Sequence, residues 1–398
     1  MTLRQLAFTI ALVSTLASPS SAWELTGQVA AEGRFFPQDA IAADKHDTNG
    51  SFALAPELYH DWNSGQLAVT ISPFARIDQG DEERTHFDLR EAFLLYSENK
   101  FEVRAGLRQT FWGVAESQHL VDILGQTDQV ENPDGEDKLG QPMVELTLLP
   151  SFGTVELTLM TGFRERTYPG REGRLGKLPV GDGVYESSDE EWHLDWAARW
   201  SHYLGAFDFG LSHFQGTSRE PIFGLGGTKE RPVLAPYYPL IDQTGIEVQA
   251  TLGGWLWKLE TIRRAGFGSK GQSRTFTAAV GGFEYTLVGV GGSVFDLGLI
   301  AEIHLDDRGD SATTPFQDDL FGGARLVLND VQSTECLAGV IVDRESGSTL
   351  SSIEANRRVG DRWRISLEYR GFINIETTDP LYGIRHDDFV QIELARFF

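Results

Sequence analysis

From Trp23 onward the side chains alternate. Trp23, Leu25, Gly27, Val29, Ala31, Gly33 and Phe35 take the odd positions, while Glu24, Thr26, Gln28, Ala30, Glu32 and Arg34 take the even ones. Successive side chains of a strand point to opposite faces, so this segment has one apolar and one mainly polar side. The same period returns at 66–78, 101–112, 191–201 and 363–372. It predicts eighteen strands, near 23–36, 51–62, 66–78, 86–96, 101–112, 142–150, 155–166, 191–202, 207–217, 241–252, 255–264, 273–286, 293–305, 319–329, 334–343, 349–359, 363–373 and 386–398, with sixteen as the alternative count.

A soluble sandwich would alternate too, and the connections separate the two cases. They fall into two classes that interleave strictly. Tight turns such as Asn63-Ser64-Gly65, Gly253-Gly254 and Gly360-Asp361-Arg362 alternate with long charged loops at 37–50, 79–85, 113–141, 167–190, 218–240, 265–272, 306–318 and 374–385. Short turns at one end and long loops at the other describe an all-β transmembrane, antiparallel up-and-down barrel of the outer-membrane type. Strands of ~10–13 residues, tilted by ~45°, cover roughly a 25 Å apolar band. Trp62, Phe101, Trp200, Tyr203, Phe207, Trp255, Trp257 and Trp363 border the short turns, where an interfacial aromatic girdle belongs.

The first 22 residues read as a cleaved export signal: Arg4, an apolar stretch from Leu6 to Leu16, then Ser20-Ser21-Ala22. Residues 23–398 then form one barrel domain. No later segment approaches the ~18 consecutive apolar residues of a spanning helix. With one Arg removed, 33 Lys and Arg face 58 Asp and Glu, a formal charge of −25, which argues against a nucleic-acid partner. Cys336 is alone, so no internal disulfide stabilises the chain.

Gly106-Leu-Arg-Gln-Thr-Phe-Trp-Gly113, Tyr237-Tyr-Pro-Leu-Ile-Asp-Gln-Thr-Gly245, Trp255-Leu-Trp-Lys-Leu-Glu260, Gly282-Phe-Glu-Tyr-Thr286 and Asn329-Asp-Val-Gln-Ser-Thr-Glu335 resemble stretches of a family of porin-like proteobacterial outer-membrane proteins. The resemblance implies an outer-membrane barrel and carries over no catalytic residue. The last strand, ending in Phe398, resembles the terminal recognition signal of such barrels. Arg396 departs from that pattern, as a residue able to snorkel.

The chain carries no G-x-S-x-G elbow, no H-E-x-x-H and no Cys-His metal spacing. Ser201-His202 and Ser212-His213 place each pair on opposite faces of a strand, wrong for a nucleophile and its base. His60, His119 and Asp122 are read as solvated groups rather than metal ligands. No enzyme activity, cofactor or metal is therefore expected.

The inward sets carry both charges. Arg34, Arg76, Arg90, Arg104, Arg108, Arg164 and Arg199 interleave with Glu57, Glu102, Glu145 and Asp195, which predicts a wet lumen lined by these residues. Loop 113–141 is the expected constriction. Leu120, Val121, Ile123 and Leu124 recur there at helical spacing, and an apolar helix face needs cover. If the loop folds inward, Asp122 and the flanking Glu131, Glu136 and Asp137 narrow the lumen, the last three opposite Arg104 and Arg108. The expected function is a porin-like channel for passive diffusion of small hydrophilic solutes or ions. The alternative is a closed structural or docking barrel serving an export system or a loop-bound partner. Expected partners are outer-membrane lipid and lipopolysaccharide, with the homotrimer as the form common among porins.

Overall fold

The structure, a computed structural model, describes residues 22–42, 45–176 and 178–398, so the expected signal sequence lies outside it except for Ala22. Eighteen strands form one sheet. They are β1 Glu24–Phe35, β2 Thr48–Trp62, β3 Leu67–Asp78, β4 His86–Glu98, β5 Phe101–Arg108, β6 Gln141–Leu148, β7 Thr154–Met160, β8 Asp195–Leu204 and β9 Phe207–Thr217, followed by β10 Leu240–Leu252, β11 Trp255–Phe267, β12 Arg274–Leu287, β13 Asp296–Asp306, β14 Asp318–Val327, β15 Glu335–Asp343, β16 Thr349–Val359, β17 Trp363–Ile373 and β18 Phe389–Phe397. Each pairs antiparallel with the next. The sheet closes when β18 pairs onto β1, Gln28 opposite Phe397 and Phe35 opposite Val390, so no edge remains.

The outer wall is apolar. On β7, Leu157 and Leu159 lie exposed on the outside, while Thr158 is buried and Glu156 reaches inward to Arg199. Lipid contact suits the first set and an aqueous or packed interior the second. Near the short turns Trp255 stacks on Trp257 at 5.6 Å between ring centroids and meets Tyr285 at 4.5 Å, a local girdle. His60 belongs here too, on the outside between Trp23 and Trp62, with ring centroids at 4.8 and 4.3 Å. It belongs to the barrel wall, whereas His119 and Asp122 belong to the segment between β5 and β6.

Three strands differ most in extent from the period-two reading. The strand expected over 101–112 stops at Arg108, that over 155–166 stops at Met160, and that over 191–202 runs from Asp195 to Leu204. In the first two the alternation continues past the point where the chain leaves the wall. The strand expected over 255–264 runs on to Phe267 through a bulge, since Arg264 pairs with Phe276 but Phe267 with Arg274. Gly266 carries this bulge with φ +86°, and a Cβ there would meet the Leu240 carbonyl oxygen at 2.3 Å. The extra residue turns Phe267 to the inside, where it is buried.

The long-loop end is partly built over. Ile222–Gly227, Pro232–Tyr238 and Val184–Tyr185 form a separate three-stranded sheet within loops expected to be irregular. Arg174, almost wholly buried, ties three loops together, bonding Asp387 at 2.7 Å, Asp47 at 2.9 Å and the His386 carbonyl oxygen at 3.1 Å.

Candidate functional site

The chain leaves the wall after Arg108 and returns at Gln141; between them it crosses the barrel interior. Its first half packs against the wall of β6–β12. Trp112, Val121, Ile123 and Leu124 join Met143, Met160, Phe214, Ile241, Ile262 and Phe276 in one buried apolar cluster, with Leu120 at its margin. No helix forms there: residues 120–124 are turn and irregular structure, and their apolar side chains meet several strands rather than sharing one face. A short antiparallel pair, Gln126–Thr127 with Lys138–Leu139, closes the second half into a hairpin.

Two wall carboxylates hold the first half by its backbone. Glu260 of β11, wholly buried, accepts hydrogen bonds from the amides of Val114 at 2.6 Å, Ala115 at 2.8 Å and Val121 at 3.2 Å. Glu302 of β13 accepts from the amides of Glu116 at 2.8 Å and Ser117 at 2.9 Å. Charge-assisted bonds of this kind satisfy amides that an irregular buried segment would otherwise leave unpaired. Gly113 makes the approach feasible, since a Cβ at its φ of +142° would lie 2.9 Å from Glu260 Oε1. Glu116 then bonds Lys258 at 3.1 Å and Arg325 of β14 at 2.6 Å.

The second half reaches the opposite wall. Arg76 Nη2 lies 2.7 Å from Glu131 Oε2, and Arg34 donates to the Glu131 carbonyl oxygen at 2.8 Å. Asp128 pairs with Arg90, Asn132 donates to Glu368 at 3.0 Å, and Asp134 bonds Arg370 of β17 at 2.8 Å. Arg84, from the loop after β3, completes the cluster, meeting Glu32 and Asp78 at 2.8 Å each. The segment thus spans from β11, β13 and β14 to β1, β3, β4 and β17.

The expected facing of Glu131, Glu136 and Asp137 onto Arg104 and Arg108 is not what forms. Those arginines pair within their own wall, Arg104 with Glu102 and with Glu145 at 3.3 Å, Arg108 with Glu145 at 2.8 Å. Glu131 meets Arg76 instead. Glu136 lies 3.4 Å from His119. Asp137 has burial and the neighbouring Asp134 and Glu131 against its charge, and its carboxyl is pushed up to about 7. Arg164, past the end of β7, reaches Asp88 and the Gly140 carbonyl oxygen; Arg199 bonds Glu156 at 2.9 Å and also Glu247; Asp195 bonds Arg219 at 3.0 Å; Glu57 accepts from Ser72 at 3.4 Å.

Among the cavities that border this segment, two share a lining residue. The inner one, about 590 Å³, runs along the β1–β4 and β17–β18 wall past Arg76, Arg90, Glu131 and Asp137. The outer one, about 290 Å³, opens toward the long-loop end among Leu120, Asp122, Arg166, Arg264 and Arg308. Lys138 lines both. It holds Asp122 at 3.0 Å, and burial still raises the Asp122 carboxyl above its ordinary range.

Sequence reasoning did not single out Lys138, Arg84, Glu302 or the Arg166–Arg219–Arg264–Arg308 group. Glu260 and Arg264 sat in the inward set with nothing to set them apart. Glu302 shares the parity of His304 within 293–305, opposite Leu299, Ala301, Ile303 and Leu305, so alternation placed it inward without singling it out; Arg84 and Arg219, in loops, gave no periodic or motif signal.

No protein-family model matches the chain, and no curated protein matches it in sequence. Among solved structures, the in-vitro folded outer-membrane protein OmpT of Vibrio cholerae, in trimer form, is similar at 11% identity, covering 95% of this chain and 100% of its own, with a TM-score of 0.49. Outer-membrane expressed OmpT of the same organism is similar at 10% identity over 97% and 100%, with 0.47. A mutant of Rh. blastica porin is similar at 11% over 95% and 100%, with 0.44. The closed barrel of the present chain rests on its own strand pairing.

Proposed function

We propose that the chain is an outer-membrane channel for passive diffusion of small hydrophilic solutes or ions, with no enzymatic activity. The observation that carries this is the pair of cavities sharing Lys138: a solute entering at the long-loop end meets the outer cavity, passes the Lys138–Asp122 pair, and leaves along the β1–β4 wall. An apolar outer wall supports placement in the outer membrane, the long loops outside the cell and the short turns facing the periplasm. The interior segment is the constriction, and Arg76, Arg90, Glu131 and Asp137 line the path below it.

One observation favours the second reading, a closed docking barrel: the segment is anchored on both walls, from Glu260 and Glu302 to Arg76 and Arg370. Planar-bilayer recording separates the two. Reproducible ohmic steps are expected, and silence from a correctly folded, heat-modifiable barrel supports the closed form. Deleting residues 129–136 removes the hairpin tip yet spares the apolar half, and should raise single-channel conductance severalfold.

A further inference from the structure

The outer cavity has a charge pattern that passive diffusion alone does not require. Five cations line it, Lys138, Arg166, Arg219, Arg264 and Arg308, against the carboxylates of Asp122, Glu220 and Asp306, whereas the inner cavity has four cationic and four carboxyl side chains. Four of the five are answered by an ion pair: Lys138 by Asp122, Arg219 by Asp195, Arg264 by Glu220 and Arg308 by Asp306. Arg166 has no carboxylate in ion-pair contact among the described residues. Its guanidinium donates to neutral oxygens, the Arg219 carbonyl at 2.9 Å and Gln126 Oε1 at 3.4 Å.

The bulge of β11 backs one wall of this site. By turning Phe267 inward beside Phe276, it supplies two rings on which Arg264 and Arg308 lie, at 5.4 and 3.8 Å from the Phe276 centroid and 5.7 and 5.2 Å from that of Phe267. Stacking holds the two guanidiniums close together despite their repulsion. Glu220 shows what such a cluster takes. Arg264 donates to its Oε2 at 2.9 Å and the Thr313 hydroxyl donates to its Oε1. Burial works against the Glu220 charge, yet the guanidiniums of Arg264, Arg308 and Arg166 outweigh it and hold the carboxyl below its ordinary range. The chain's own carboxylate thus occupies part of a cationic site whose remaining cation, Arg166, acts on it only from beyond ion-pair contact.

We propose that the outer cavity is a binding site for small carboxylate solutes, the carboxylate docking on Arg166 beside the stacked Arg264–Arg308 pair. Its volume equals that of roughly ten liquid waters, enough for a short-chain dicarboxylate with part of its hydration. The proposal rests on the channel reading for its purpose, since bound solute stands on the entry path, but not for its binding chemistry.

The test uses the full refolded barrel in detergent and in planar bilayers, with succinate, inorganic phosphate and ethylenediamine as probes. Calorimetry should detect succinate binding that weakens about tenfold in Arg166→Gln, the loss of one charge-assisted hydrogen bond, and tightens severalfold in Glu220→Gln, which removes the competing carboxylate. In bilayers, succinate added at the long-loop side should interrupt the current, and ethylenediamine should not. Phosphate binding as tightly as succinate overturns the carboxylate assignment, and succinate binding unchanged in both variants overturns the site. Succinate binding lost in Arg166→Gln from a barrel that conducts nothing upholds the site while the channel reading fails. Ohmic current with no succinate binding does the reverse.

Discussion

Lys138 Nζ stands 3.0 Å from Asp122 Oδ2, a contact that closes the interior segment on itself and places one cation between the two cavities. If the route passes this pair, charge and bulk at Lys138 act separately. Lys138→Met keeps most of the volume and should shift reversal potentials in a salt gradient toward cations with little change in conductance. Lys138→Ala should do the same and also raise conductance about twofold. Equal conductance and selectivity in wild type and both variants would place the route elsewhere.

Glu260 serves three amides at once, so its replacement should loosen the interior segment before it harms the barrel. Glu260→Gln leaves one acceptor and turns an amide group toward peptide donors, costing about 2–4 kcal/mol. Hydrogen exchange at Val114, Ala115 and Val121 should accelerate by at least tenfold, with strand amides of β11 little affected. Unaltered protection at all three would show that the apolar cluster alone holds the segment.

Leu157 faces out from β7 with 43% of its surface exposed, while Thr70 of β3 lies on the inward set opposite Tyr59 and Phe93. An Arg on the lipid-facing side costs about 2–4 kcal/mol near mid-membrane, whereas one facing the interior finds water and carboxylates. Urea titrations of barrels refolded in vesicles should therefore show Leu157→Arg destabilised by that amount and Thr70→Arg by less than about 1 kcal/mol. Matching losses would mean that the inside and outside of the wall have been exchanged.

Alternation made the wall legible because side-chain direction in a strand depends only on the parity of position. All eighteen barrel strands and their interleaved turns follow from it, and so does the inward placement of Arg76, Arg199 and Asp195. It failed where parity breaks. The bulge at Gly266 carries the strand beyond 264 and brings Phe267 to the interior, and nothing in a period-two pattern announces it. It failed also for contacts made only once the barrel closes: Glu131 finds Arg76 and Arg84, and Asp134 finds Arg370 across 236 residues of chain. Leu120, Val121, Ile123 and Leu124 did mark a segment needing apolar cover, but the spacing taken as helical arises because the chain packs irregularly among several strands.

Asp137 titrates in the middle of the physiological range, and that gives the inner cavity a charge that depends on pH. Burial raises its carboxyl first, and the charges of Asp134 and Glu131 add to this, bringing it to about 7. Below that pH the group is protonated and neutral; above it the cavity wall gains one negative charge. Glu136 does not share this behaviour, because its bond to His119 holds it below the ordinary carboxylate range. Cation preference, read from reversal potentials, should therefore increase as pH rises from 6 to 8, with a midpoint near 7. Asp137→Asn should flatten the profile at its low-pH value. The same shift lowers stability at high pH: an Asp whose folded value is raised contributes fully below its unfolded value of about 3.9, and the contribution is lost as pH rises through the folded value. Asp137→Asn should accordingly unfold at higher urea than wild type at pH 8 and show a smaller difference at pH 5. A selectivity profile that stays flat in wild type, or that keeps its midpoint in Asp137→Asn, would assign the titration to another group.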